Sequence, residues 1–219
     1  MSTNRGFLDL TSAECLNVYQ SVMNNGAEFF TTAELLAENN YFGKAISHLI
    51  LGTEEAIKGL CLLLEGHDFD LRKIKEVQGI FKYHLPRHNI IRDTFSIWMV
   101  IRYIYDIKNN HSRKNILANL LKAVITILPA VGNYEWWQKA DQLKQRGLYT
   151  DYKNGILQPT NLTREEYEEA MRRTTPVYKE VLQFAEDIAR MSPRQLKELR
   201  QNFNDADFPT LIAETIKRK

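Results

Sequence analysis

In the run GTEEAIKG, Glu54 and Lys58 stand four residues apart, so on a helix they share one side and can pair. Further along, the run FKYHLPRH sets His84 and Arg87 on either side of Pro86. Proline cannot continue a helix without strain and disfavours helical geometry in the residue before it, so this helix end should turn its side chains toward a neighbour. An imidazole with an ordinary pKa of about 6.5 suits proton transfer at neutral pH, and a guanidinium offers a planar fork of donors to a phosphate. Brought together, Glu54, Lys58, His84 and Arg87 supply an acid, two cations and an imidazole. These are the parts for general acid–base attack of a hydroxyl on a phosphodiester. The competing structural account is an exposed ion pair worth about 0.3–0.5 kcal/mol, with the remaining groups holding helix ends together.

A second unusual segment is QRGLYTDY, where Arg146, Tyr149, Asp151 and Tyr152 follow the Trp136–Trp137 pair. Arg146, Tyr149 and Asp151 are candidates for binding RNA or a partner. The structural alternative is a helix C-terminus capped by Gly147 in the left-handed region, with the aromatics packing the loop down. Other machinery is missing: there is no Gly-rich phosphate loop, Rossmann fingerprint, His-Glu-x-x-His or Gly-x-Ser-x-Gly. Glu65 and His67 have the wrong spacing for a bundle metal site and are expected in a solvated turn at a helix end. Cys15 and Cys61 form no Cys-x-x-Cys pair, which fits a reducing compartment. No metal and no cofactor is expected.

The elements that must position these residues read as helices with short connections. Thr11 followed by Glu14 has capping-box form and predicts helix 1 from about Ser12 to Asn39. Gly43 marks the turn, and Ile46, Leu49, Ile50, Ile57, Leu60 and Leu64 then recur at helical spacing, predicting an amphipathic helix 2 that Gly66 ends. The two should form an antiparallel hairpin around Asn39 to Gly43. A third helix is expected over about Leu71 to Tyr83, a buried one over Ile90 to Ile107, and another over Asn115 to Leu143 with a break near Pro129. A polar loop from Gly147 to Asn161 precedes a second capping box, Thr163 with Glu166, with Leu162 and Tyr167 as its staple. Ser192, Pro193 and Gln195 signal another start, and Phe208 with Pro209 a short terminal helix. Glycines and prolines fall at intervals that suit helix ends, and no segment alternates with the period of a half-buried strand. The fold class expected is all-α, a single helical domain over residues 1–219.

Composition agrees with a folded domain: 44% of residues are hydrophobic and 26% charged. The 29 Lys and Arg against 27 Asp and Glu leave a formal charge of +2, so any RNA site must be a local patch. The N-terminal MSTNRGFLDL lacks the apolar core of a secretory signal. The most apolar stretch, Ile116 to Val131, is interrupted by Lys122 and Pro129 and falls short of the ~20 residues a membrane span needs. A cytoplasmic protein without membrane contact is expected.

Taken in order, AELLAENNYFGKAISHLILGTEEAIKG, then KYHLPRH, then QRGLYTDY before a loop bearing Pro159 resemble the AbiV family of abortive-infection proteins, over roughly residues 25 to 185. The resemblance implies the HEPN superfamily of helical bundles, many of them metal-independent endoribonucleases that act as dimers in phage defence. It implies a HEPN-like bundle core with a C-terminal helical extension, arrest of the infected cell, and a phage-encoded protein as possible trigger. The superfamily's usual signature, an arginine with a histidine five to seven positions later, has no match here; Arg102 and His111 come nearest. A homodimer is expected from the resemblance and from the many large apolar side chains between Phe95 and Tyr105. Two functions compete: an RNase-like effector using His84, Lys58 and Arg87, and a non-catalytic module that sequesters a phage or translation protein.

Overall fold

A computed structural model describes residues 5–73, 136–137, 139–152 and 155–205. Five helices make up nearly all of it: α1 (Ser12–Glu38), α2 (Phe42–Gly66), α3 (helical residues 136–137 and 139–148), α4 (Arg164–Arg190) and α5 (Pro193–Asp205). Of the helix expected over Leu71 to Tyr83 only the 3-10 turn Leu71–Lys73 is described, and of that expected over Asn115 to Leu143 only residues 136–137 and 139–143; the helix expected over Ile90 to Ile107 and the one after Pro209 lie outside the described residues. So do His84 and Arg87.

Local signals start the helices where the side chains can serve orphan amides. The Thr11 amide donates to Glu14 at 2.7 Å while the Glu14 amide donates to the Thr11 hydroxyl at 3.3 Å. Thr163 and Glu166 repeat the arrangement at 2.8 and 3.3 Å, and Ser192 exchanges bonds with Gln195. The turn between α1 and α2 belongs to Asn40 rather than to Gly43. Asn40 takes a left-handed φ of 62°, its amide reaches Ala37 and the Tyr41 amide reaches Leu36 at 2.8 Å, which is Schellman closure. Asparagine is among the few non-glycine residues that accept this conformation readily.

The antiparallel α1–α2 hairpin is present as expected, and α4 packs on another side of α2. Consequently α2 is amphipathic, as expected, but with an apolar face much wider than the stripe. All six stripe residues are buried, but 17 of its 25 residues are buried in total, because it is sheathed on several sides. Its contact with α1 is close where Gly26 faces Gly52: a Cβ on Gly52 would stand 2.8 Å from the Gly26 carbonyl and 2.7 Å from the Phe30 ring. The Phe30 ring also stacks on Tyr178 of α4, with centroids 4.1 Å apart. Pro176 lies inside α4 and does not end it, so this proline departs from the expectation that prolines mark helix ends. The stretch expected as a polar loop carries a minimal antiparallel ladder, β1 (Asp151–Tyr152) against β2 (Ile156–Leu157). It is the single sheet among the described residues.

Candidate functional site

Helix α2 puts Glu54 and Lys58 one turn apart, yet they do not choose each other. The ammonium of Lys58 pairs with its neighbour Glu55, three residues back, and lies 5.7 Å from the centre of the Phe7 ring. Glu55 faces α1, where Asn25 donates to it at 3.1 Å. Glu54 turns instead toward α3 and pairs with Lys144 at 2.7 Å. Lys144 also holds Asp141, one turn back on α3, at 3.2 Å. The side chains of Glu54, Lys144 and Asp141 are only 18%, 10% and 5% exposed.

Two carboxylates therefore share one ammonium in a nearly dry place. Burial pushes the Glu54 carboxyl above the usual range, and the charge and hydrogen bond of Lys144 oppose that rise without cancelling it. Burial works against the Lys144 charge, but Glu54 and Asp141 outweigh it and raise its pKa above 10.5. The two rises differ in origin: burial, opposed by Lys144, sets the direction at Glu54, whereas the two carboxylates, opposed by burial, set it at Lys144.

Alpha-helix α3 reaches α2 through a polar seam. The buried Ser47 hydroxyl lies 2.8 Å from the Lys144 carbonyl and 3.1 Å from the Gly43 carbonyl. Gly147 completes the approach, for a Cβ there would overlap the Gly43 carbonyl and the Ser47 hydroxyl. Gly147 is thus buried and helical, and it serves close contact rather than a left-handed cap. For the same reason α3 runs on to residue 148, past the expected end at Leu143.

The residues of QRGLYTDY disperse. Arg146 lines a cleft of about 380 Å³ between α3 and α4. Tyr149 is 60% exposed beyond the helix, and Asp151 sits exposed in β1, where its carboxylate accepts the Tyr152 amide at 2.7 Å. Glu65 leaves the solvated turn expected for it and pairs with Arg72 at 3.0 Å, with only 12% of its side chain exposed. Arg72 also donates to the Leu8 carbonyl, tying the turn at Leu71–Lys73 to the chain ahead of α1. Lys144 was missed from sequence. The Asp141–Lys144 spacing of three is visible, but the partner Glu54 lies 90 residues away.

A long antiparallel α1–α2 pair within a mostly helical domain, its second helix buried among the others, defines a helical bundle of the HEPN kind. Residues 14–179 match the family model described as AbiV, in the HEPN group, and the chain belongs to that family. No curated protein matches the chain, and no solved structure does. Membership implies a role in abortive infection, a defence against phage. Among the described residues no helix is long and apolar enough to cross a membrane.

Proposed function

We propose that this protein is an abortive-infection effector that arrests the phage-infected cell by acting on RNA. The observation that carries the reading is the family match over residues 14–179, which spans every candidate residue from Glu54 to Asp151. In this reading His84 takes the proton of a ribose 2′-hydroxyl, whose oxygen attacks the adjacent phosphorus. The bond to the 5′-oxygen breaks, and that oxygen takes up a proton from water, leaving a cyclic phosphate and a 5′-hydroxyl end. Lys58 and Arg87 stabilise the charge on the phosphate. Glu54, clamped by Lys144, is a positioning residue that orients this side of α2. The protein acts in the cytoplasm as a homodimer and answers to a phage-encoded protein.

A second reading has its own observation. Glu54 and Lys58 each already hold a partner, Lys144 and Glu55 respectively, as side chains that only join elements would. The protein would then sequester a phage or translation protein without cleaving anything. Mapping RNA ends in infected cells separates the two. New ends that disappear with His84→Ala, at unchanged protein level, support cleavage, since general acid–base help contributes ~10²- to 10⁴-fold. Arrest without new ends supports sequestration.

A further inference from the structure

The buried side of α3 changes character along its length. At the start, Trp137 and Ala140 belong to the hydrophobic core. From residue 141 on, the buried positions are Asp141, Lys144 and Gly147, whose spacing keeps them on one face. The contacts made there are polar, or are a backbone approach without a side chain. Lys144 meets Glu54 and Asp141, the Ser47 hydroxyl meets the Lys144 carbonyl, and Gly147 abuts Gly43. Leu143 and Leu148, the apolar side chains of this half, are only partly buried. The chain beyond adds little hold, for Tyr149, Tyr152 and Ile156 are exposed. Polar contacts of this kind lose little on separating, because water replaces each hydrogen bond and rehydrates each charge. Buried apolar surface has no such substitute.

The geometry points to an autoinhibitory latch: the end of α3, residues 141–148, lies closed over the flank of α2 that carries Glu54, keeps the protein silent, and opens as a unit while Trp137 and Ala140 stay seated. The gating rests on the reading proposed above, in which α2 carries part of the site. The Lys144 clamp that orients this flank is then also what covers it, since Glu54 lies nearly buried beneath Lys144. An effector that arrests its own cell needs a silent resting state, and the chain by itself is closed. A partner that binds only the open form shifts the balance toward it by its differential affinity, with no need to break the apolar α1–α2 contact. Gly147 is what lets the latch close, because a Cβ there would overlap the Gly43 carbonyl and the Ser47 hydroxyl. Any larger residue at this position is a wedge.

The test begins with hydrogen exchange of the full chain. Amides of residues 143–148 should exchange at least about a hundredfold faster than those in the middle of α2, because local opening needs less free energy than global unfolding. Equal protection in the two helices overturns the inference. Gly147→Ala should speed exchange over residues 143–148 by about tenfold or more and leave α1 and α2 as they were. A loss of protection spread evenly over the chain overturns it as well. In uninfected cells, Lys144→Ala combined with Gly147→Ala should arrest growth without phage, and if that variant fails to protect α1 and α2, Gly147→Ala alone is scored in its place. Gly52→Ala, a wedge at the α1 seam, should not arrest them. Opened variants that leave uninfected cells growing, or that lose arrest on infection, overturn the gating. Arrest without phage that survives His84→Ala would keep the latch and remove the cleavage reading. RNA ends that depend on His84 but are indifferent to opening would do the reverse.

Discussion

Two of the seams that hold helix α2 have opposite character. Against α1 the contact is close and largely apolar, with Gly26 facing Gly52 and Met23 against Gly59, and with the Asn25–Glu55 bond at its exposed side. Against α3 it is polar, with the buried Ser47 hydroxyl and the Glu54–Lys144–Asp141 cluster. An apolar seam gains from every area it removes from water and tolerates many arrangements of similar volume. A buried charge cluster gains little overall, because desolvation consumes most of the attraction, but losing one member leaves the others buried without compensation. The α3 seam should therefore contribute more to register than to net stability, and it should be the easier one to break with a single substitution.

The largest expected effect follows from that asymmetry. Lys144→Ala leaves two buried carboxylates facing each other and should cost about 3–5 kcal/mol, on the order of 10 °C in Tm for a chain of this size. Adding Glu54→Gln should recover much of the loss, since it removes one of the orphaned charges. If Lys144→Ala melts like the parent, the polar seam does not bear on the fold. The same group sets a pH dependence. Its folded pKa is raised above the ordinary 10.5, so its contribution is complete below about 10.5 and is lost as pH rises through the folded value. The stability difference between the parent and Lys144→Met, measured by urea denaturation, should accordingly shrink as pH rises above that value.

Next in size are the close contacts, one from each seam. Gly52→Ala and Gly147→Ala should each cost about 1–3 kcal/mol by overpacking. The cost at Gly147 should be the greater, because its Cβ would meet the fixed Gly43 carbonyl and the Ser47 hydroxyl together. At Gly52 part of the collision is with the Phe30 ring, which can shift. Chemical denaturation of both variants gives the ranking, and a reversed order would mean that α3 gives way more easily than α1.

The difference between the seams also decides what the sequence made legible. The hairpin, the caps at Thr11, Thr163 and Ser192, and the buried stripe from Ile46 to Leu64 are written in local spacing, and all of them are present. What escaped depends on partners far along the chain. Nothing within GTEEAIKG says that Glu54 turns to Lys144 while Lys58 takes Glu55, because a spacing of four licenses the Glu54–Lys58 pair equally well. The burial of α2 beyond its stripe comes from α4 and α3 arriving on its other sides, which its own period cannot reveal. Gly147 looked like a cap because glycine after a helical run usually is one, and only the nearness of Ser47 shows its other use. His84 and Arg87 lie outside the described residues, so the convergence expected of the four candidate groups is a matter for the RNA-end experiment.

Smaller still are the helix starts, which lie at neither seam. Thr11→Ala and Thr163→Ala should each lose about 1 kcal/mol, the usual worth of an N-cap side chain. Thermal melts of the two variants should agree to within a few degrees. A much larger loss for Thr163→Ala would show that the start of α4 is coupled to the α3–α4 cleft through Glu166.

The smallest effect expected is an acid titration at the start of α1. The Glu14 carboxylate accepts hydrogen bonds from Arg5 at 2.9 and 3.0 Å and from the Thr11 amide at 2.7 Å. The Arg5 bond, followed by the Thr11 amide and hydroxyl, brings its pKa from 4.5 down to about 2. A depressed carboxyl stabilises the folded state above its unfolded pKa and loses that contribution as pH falls through the folded one. The capping turn should therefore hold at pH 4.5 and loosen only toward about 2. Because Glu14 is exposed, the change stays local and should be read at the Thr11 amide by NMR rather than in a melting curve. Arg5→Ala should move the midpoint up toward 4.5, while Lys144→Ala should leave it where it is, since the α3 seam does not touch this end of α1. A Thr11 amide that already titrates near 4.5 in the parent would show that Arg5 does not hold the carboxylate in solution. A midpoint that moves with Lys144→Ala would show that the two seams are coupled through α2.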